Sequence, residues 1–409
     1  MAAPRRPHRR RQGYGGPLNP GAKAEGLHDI GLPDTDSGRA AHRVLVALFV
    51  VVISLPLAAN LAGFDGADPG AENRELAPFP RIDRSWQSIA GLPANLGLWF
   101  DDHFGLRSTF IRWYGESRLF ALGVSPSAAV VKGRGGWFFY GDDMGIEDYA
   151  NVEPMTPAAV ANWRAAVVRA RDWLRTRGVA YVFTIAPDKH AIYPEEMPST
   201  LLRLGEVSRS DQLFTTLQDT GLAVDVRPWL FATKARERIY HKTDTHWNDR
   251  GALVAYQQII GAVRARVPAT PPAWTREDFE PVDRIVEALD LAAMMGVKRA
   301  LRETDLALVP RRARRARVIE PAGAAPTAEE GRLVTEIDDP SLPRAVILRD
   351  SFVSRLVPFL SEHFGRAVYL WQNDFDATVV AREHPDVVIQ EIVGRHLYNF
   401  IPSPELVPK

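Results

Sequence analysis

Cysteine is absent from all 409 residues, which removes disulfide scaffolds, thiol nucleophiles, thiolate zinc cages and cysteine-held iron–sulfur clusters. Its absence leaves the compartment open, because a disulfide-free protein exists on either side of a membrane. Net charge is absent too: 50 basic side chains offset 50 acidic ones, so no bulk field draws the chain to nucleic acid. Compositional extremes are missing. At 46% hydrophobic and 24% charged, the chain has neither the polarity of a disordered protein nor the bias of a collagen or coiled coil. No internal repeat is visible, and the length allows more than one folded unit at about 100–200 residues each.

What is present is unevenly distributed. Residues 1–43 hold eight basic residues against four acids, among many Gly and Pro, the composition of a flexible basic tail. Val44–Phe64 follows, 21 residues without a charge. At about 1.5 Å per residue such a helix spans a hydrocarbon core of about 30 Å, and Pro56 would bend it without forbidding it. The excess of Arg before the apolar run puts the tail in the cytoplasm and the remainder outside. A cleaved signal peptide would also carry an apolar run ending in small residues such as Ala58–Gly63, but a lead of 43 residues is long for one. We therefore expect an uncleaved single-pass anchor in the inner, cytoplasmic membrane, with the large domain in the periplasm where the cell has an outer membrane.

Residues 65–94, rich in Pro, Gly and Asp, read as a linker, and 95–409 as the folded domain. Asn95–Leu122 carries aromatic and aliphatic residues at mixed helical spacing. Val130–Tyr140 reads as two short strands about a Gly-rich turn, which is no phosphate loop because neither a helix signal nor Lys-Ser/Thr follows. From residue 156 helices and apolar strands alternate. The expected helices are 156–178, 210–220, 248–267, 354–364 and 376–383, and the expected strands 179–186, 222–226, 238–242, 345–348, 367–371 and 387–390. This order predicts an α/β fold with a mainly parallel sheet covered on both faces. Residues 268–343 show little periodicity, and the basic run 311–317 reads as a solvated insertion or as a dock for an anionic polymer.

In such sheets chemistry sits at the carboxyl ends of strands, and three of those ends are polar: Pro187–Tyr193, His241–Asn248 and Arg349–Phe352. Ser351, between an apolar strand and a helix, is in a position to expose its hydroxyl at the top of the sheet. A neutral serine needs a base. Asp244 and His246, two apart in an extended segment, would face the same way, so that the carboxylate orients the imidazole toward the serine. Each residue also has a purely structural reading: Asp244 as a helix cap, His246 as a satisfied polar group, Ser351 as the cap of the next helix. His241, Asp244 and His246 together also have the types and spacing of metal ligands, but no further carboxylate motif completes such a site, and no metal is expected.

The runs GRGGWFFY (133–140), APDKHAIYPEEMP (186–198), KTDTHWNDRGA (242–252), RDSF (349–352) and PDVVIQEIVGR (385–395) resemble the SGNH-hydrolase-like domain of the alginate O-acetyltransferase family, in the same order over about 95–400. The resemblance implies a three-layer α/β sandwich. It also implies an acyl-serine enzyme without a cofactor that acetylates an exported polysaccharide, with Ser351 as nucleophile, His246 as base and Asp244 as its orienter. The acyl donor would be a membrane-bound O-acyltransferase partner. Asn373 is the candidate side-chain oxyanion donor, or simply a turn residue. Tyr193, Trp247 and Trp371 are candidates for stacking on sugar rings, or core aromatics. The family usually has glycine where this chain has Arg349, and a bulky side chain there is expected to reshape the turn. An acetylesterase with the same triad and a silent scaffold of an export complex are the competing readings.

Overall fold

This computed structural model describes residues 36–64, 76–83, 85–320 and 331–402. The tail up to residue 35 and linker residues 65–75 and 84 lie outside them. Met1–Leu57 and Ala58–Lys409 form separate units. The first is described from the start of one helix, Asp36–Leu61. Its stretch Arg39–Leu61 is the one described helix long and apolar enough to cross a membrane, with none of its apolar window buried. A helix clad in exposed Val, Leu, Ile and Phe is the form a lipid-facing span takes.

The second unit opens with helix Trp86–His103, capped by the Ser85 side chain, so regular structure begins inside the stretch read as linker. Helix Arg107–Glu116 and a π turn to Ala121 follow. The strands are β1 (Val130–Lys132), β2 (Phe138–Tyr140), β3 (Ala180–Ala186), β4 (Ala223–Val224), β5 (Phe279–Glu287), β6 (Arg302–Pro310), β7 (Arg317–Glu320), β8 (Leu333–Glu336), β9 (Arg344–Arg349), β10 (Arg366–Trp371) and β11 (Val387–Val393). Seven of them make one sheet in the order β4-β3-β11-β9-β10-β8-β7. It is parallel from β4 to β10, with β8 and β7 added antiparallel.

Alternation along the strands separates two cores. Val182, Ile347, Tyr369 and Ile389 face helix Asp249–Arg266, while Phe183, Val346, Val368 and Val388 face helices Pro157–Arg175 and Arg209–Leu217. The result is the expected α/β arrangement of a sheet between two helical layers. Thr156 caps the first of these helices and Asn248 the one at 249, its Oδ1 accepting from Arg250 and Gly251 N–H.

Three local expectations are corrected. Residues 238–242 form no strand, only an isolated bridge between Tyr240 and Trp247. The helix expected over 354–364 is broken into Ser351–Ser354, Val357–Leu360 and a 3-10 turn, because Pro358 has no N–H to continue a ladder. Residues 268–343 contain the antiparallel hairpin β5–β6 and strands β7 and β8, concealed by mostly exposed side chains that break the alternation. The basic run 311–317 is no free insertion. Arg312 and Arg314 lie over the Trp274 ring, Arg315 pairs with Asp339 at 2.7 Å, and Arg317 opens β7.

Candidate active site

β9 leads the chain out of the sheet at Arg349, and Asp350 caps the short helix that begins at Ser351, accepting from Phe352 N–H at 2.9 Å. The second Asp350 oxygen takes Val393 N–H at 2.6 Å, fixing the turn to the end of β11. Ser351 is therefore not the cap. Partly exposed, it has no hydrogen-bond partner for its hydroxyl or its N–H among the described residues. Arg349 ends β9 in regular pairing with Trp371. Its guanidinium stacks over the Trp371 ring at 4.6 Å and donates to Ser354 Oγ at 2.9 Å. The same guanidinium donates to the Asp350 carbonyl at 3.2 Å, so the large side chain is tied to the backbone of the turn.

The segment 241–247 is an irregular loop, held from three sides. Lys189, buried at the end of β3, donates to the carbonyls of His241, Lys242 and Asp244 at 3.1, 3.1 and 2.6 Å. Burial pushes its ammonium down to about 8, against the pull of Asp290, Asp244 and Glu303. Glu303 on β6 accepts from the N–H groups of Lys242 and Thr243 at 2.6 and 2.9 Å. Asp290 accepts from Thr245 N–H at 2.9 Å.

Within this frame Asp244 Oδ1 accepts from both His246 N–H, at 2.9 Å, and His246 Nδ1, at 2.7 Å. The two side chains meet through a turn, not through the extended geometry expected. Asp244 caps no helix, since Asn248 does so. Burial opposes the Asp244 charge, but the hydrogen bond from His246 and the charges of His246, His241 and Arg355 hold its carboxyl well below the usual carboxylate range. Asp290 lies 3.9 Å from the same His246 nitrogen, and burial together with the Asp244 charge pushes its carboxyl up. The other ring nitrogen, His246 Nε2, is buried without a hydrogen-bond partner among the described residues.

Three contacts bring this loop to the Ser351 turn. The His246 ring stands edge-on to Phe352 with centroids 4.9 Å apart, Trp247 Nε1 donates to the Phe352 carbonyl at 3.2 Å, and Arg355 reaches Asp244 Oδ2 at 3.3 Å. Asn373 follows β10, its carbonyl held by Gln390 Nε2 at 2.5 Å and its Nδ2 3.5 Å from His396 Nδ1. His241 lies 3.6 Å from Glu303 Oε1, and the three residues weighed as metal ligands, His241, Asp244 and His246, are not among the groups whose ligand atoms converge. Two other groups have ligand atoms within 4.8 Å of one another, Asp244, His246 and Asp290, and Asp148, Asp188 and His190. In the first the shared nitrogen is hydrogen-bonded to Asp244, and in the second both Asp188 oxygens are held by Arg395.

Two aromatic candidates are corrected. Trp247 is 1% exposed and Tyr193 6%, the latter accepting from Ile239 N–H at 3.0 Å, so neither presents a face to a sugar. Trp371 is 37% exposed and remains available. Asp290 and Glu303 went unforeseen, because they lie in the aperiodic stretch 268–343.

The family model of the SGNH hydrolase-like domain of the acetyltransferase AlgX matches residues 130–376, more than half of the chain. The chain belongs to this family. The probable alginate O-acetylase AlgJ of Pseudomonas syringae pv. tomato is 24% identical over 261 residues, 63% of this chain and 59% of that protein. Its namesake in Pseudomonas putida is 31% identical over 143 residues, 33% of this chain and 34% of that one. The chain thus spans less than two thirds of either relative. Among solved structures, the O-acetyltransferase domain of Pseudomonas putida AlgJ has 19% identity and TM-score 0.43, covering 66% of this chain and 92% of that one. Pseudomonas aeruginosa AlgX has 17% identity and TM-score 0.43, with 65% and 62% covered. Family membership makes the fold SGNH-hydrolase-like.

The carboxylate pair about His246 makes a graded expectation. Asp244→Asn removes the near orienting charge and should lower any turnover that depends on His246 by about 10²- to 10⁴-fold. Asp290→Asn, at 3.9 Å, should lower it by no more than about tenfold. Steady-state kinetics on both variants checks the ranking, and equal losses would contradict it.

Proposed function

We propose that the chain is an O-acetyltransferase that moves acetyl groups onto hydroxyls of an exported polysaccharide through an acetyl-serine at Ser351. The observation that carries this is the buried, unpartnered His246 Nε2 beside the Ser351 turn, on a ring whose other nitrogen is bound by Asp244. In this mechanism Ser351 Oγ attacks the acetyl carbonyl while Nε2 takes its proton, and Asp244 steadies the imidazolium that forms. The Ser351 N–H and Asn373 Nδ2 are the donors for the oxyanion. Collapse returns the proton to the leaving group. A sugar hydroxyl, deprotonated by the same nitrogen, then attacks the acetyl carbonyl, and the bond to Ser351 Oγ breaks as Nε2 returns that proton to the serine. Trp371, partly exposed at the end of the strand that pairs with β9, is the surface for the acceptor. Relatives named as alginate O-acetylases support a polysaccharide acceptor.

The apolar helix Arg39–Leu61 supports a single-pass anchor in the cytoplasmic membrane with the domain outside. Activated acetyl groups made inside then need a membrane-bound O-acyltransferase to pass them across. Purified protein incubated with a chromogenic acetyl ester should transfer acetyl to an oligosaccharide and trap label on the Ser351 peptide. Hydrolysis unaffected by acceptor would make it an esterase, and silence a scaffold. Protease added to cells with an opened outer envelope should digest the large domain. Protection until the inner membrane is broken would overturn the placement.

A further inference from the structure

Helix Trp86–His103 is built inside out. Trp86, Ile89 and Phe100 fall on one stripe of the helix, and all three are exposed, whereas the residue it buries is Asp102. That carboxylate accepts from Ala77 N–H at 2.7 Å. Helix Arg107–Glu116 with its π turn has two apolar sides. Ile111, Gly115 and Leu119 turn inward, Leu119 into a small core with Ala292, Met295 and Val297. A side chain at Gly115 would strike the Met295 carbonyl and one at Gly296 the Ile111 side chain, so the two segments touch closely there. Phe110, Trp113 and Phe120 turn outward and are exposed. Ring contacts of 6.2 to 6.4 Å run Phe100–Phe104–Phe110–Trp113 and join the two outer stripes.

Single exposed apolar side chains are ordinary, but a continuous aromatic surface on two helices marks an interaction site. Two observations say what covers it. The segment follows the membrane-crossing candidate Arg39–Leu61, and residues 62–85 reach at most about 90 Å, so the segment is tethered to any bilayer which that helix crosses. Its chemistry is that of the membrane–water boundary, with Trp, Tyr and Phe interleaved with Arg112 and Arg118.

We propose that residues 86–122 are a lipid platform: two helices that lie on the outer surface of the bilayer with Trp86, Ile89, Phe100, Phe110, Trp113 and Phe120 in the headgroup and upper acyl region. This rests on the anchored placement argued above. The platform sits one packing layer from the chemistry. Its inner stripe contacts 292–297, whose neighbour Asp290 holds Thr245 and faces His246. A docked platform therefore brings the Ser351 site to the membrane surface, where a donor embedded in the membrane would deliver acetyl groups.

A chain without cysteine allows a direct test. Single cysteines replace Ile89, Trp113 or Phe120, with Val51 in the span and exposed Arg175 as references, and each carries a nitroxide in full-length protein reconstituted into phosphatidylcholine–phosphatidylglycerol vesicles. The labels at 89, 113 and 120 should lose most of their collisions with a water-soluble nickel chelate and keep those with oxygen, as at 51, while 175 stays open to the chelate. Chelate access at 89, 113 and 120 with 51 in lipid would overturn the platform and leave the anchor standing. Shielding from both reagents would overturn it in favour of a protein interface. An aqueous label at 51 would overturn the anchor and the platform with it.

Discussion

Replacing Ser351 by alanine is expected to lower acetyl transfer by at least about 10³-fold, with folding stability changed by no more than about 0.5 kcal/mol. The asymmetry follows from the contacts. The hydroxyl is partly exposed and bonds to nothing among the described residues, so its loss leaves no buried group unpaired. The turn is held instead by Asp350, through Phe352 N–H and Val393 N–H. His246→Ala should cost about as much activity, since a nucleophile and its base act as a unit and the double variant should be little worse than either single one. Steady-state rates on the full chain in detergent, together with thermal unfolding, read both quantities. Transfer by Ser351→Ala at the parent rate would remove the acyl-serine mechanism.

The largest effect on stability is expected at Asp188. Its carboxylate is 3% exposed and takes Arg395 Nη1 at 2.7 Å and Arg395 N–H at 2.9 Å, locking the end of β3 to the turn after β11. Burial works against its charge, but Arg395 and His190 outweigh it and hold the carboxyl below its ordinary value. Asp188→Ala leaves a buried guanidinium with Asp143 as its remaining partner, at 3.3 Å, and should cost about 3 kcal/mol. The sign with pH follows from the lowered value. The stabilisation is complete above the unfolded value of about 3.9 and is lost as pH falls through the folded one. Parent and variant should therefore differ fully at pH 5 to 7 and converge below about pH 4. Unfolding midpoints over that range test this, and a gap that widened in acid would contradict it.

Local signals sufficed where one residue decides one geometry. Thr156, Asn248 and Asp376 cap helices through their own side chains, and the apolar runs of β3, β9, β10 and β11 are long enough to mark strands buried on both faces. From those strands the parallel sheet and its chemistry-bearing ends could be read, and with them Asp244, His246 and Ser351 as candidates. The sequence could not show how residues 244 and 246 meet, because a carboxylate bonding both the ring and the N–H of the same histidine is a property of a turn held by Lys189, Glu303 and Asp290. Nor could it separate a core tryptophan from a surface one. Trp247 lies within a polar segment and Trp371 ends an apolar strand, yet it is the first that packing against Phe352 and Tyr240 encloses. By itself, then, the sequence determined the anchor-like helix, the α/β order and the polar strand ends, since each depends on neighbours in the chain. Tertiary structure alone decided which polar groups share a site and which aromatic faces stay open, since each depends on segments far apart in sequence, such as 189, 246, 290 and 351, coming together beyond the carboxyl ends of interior strands.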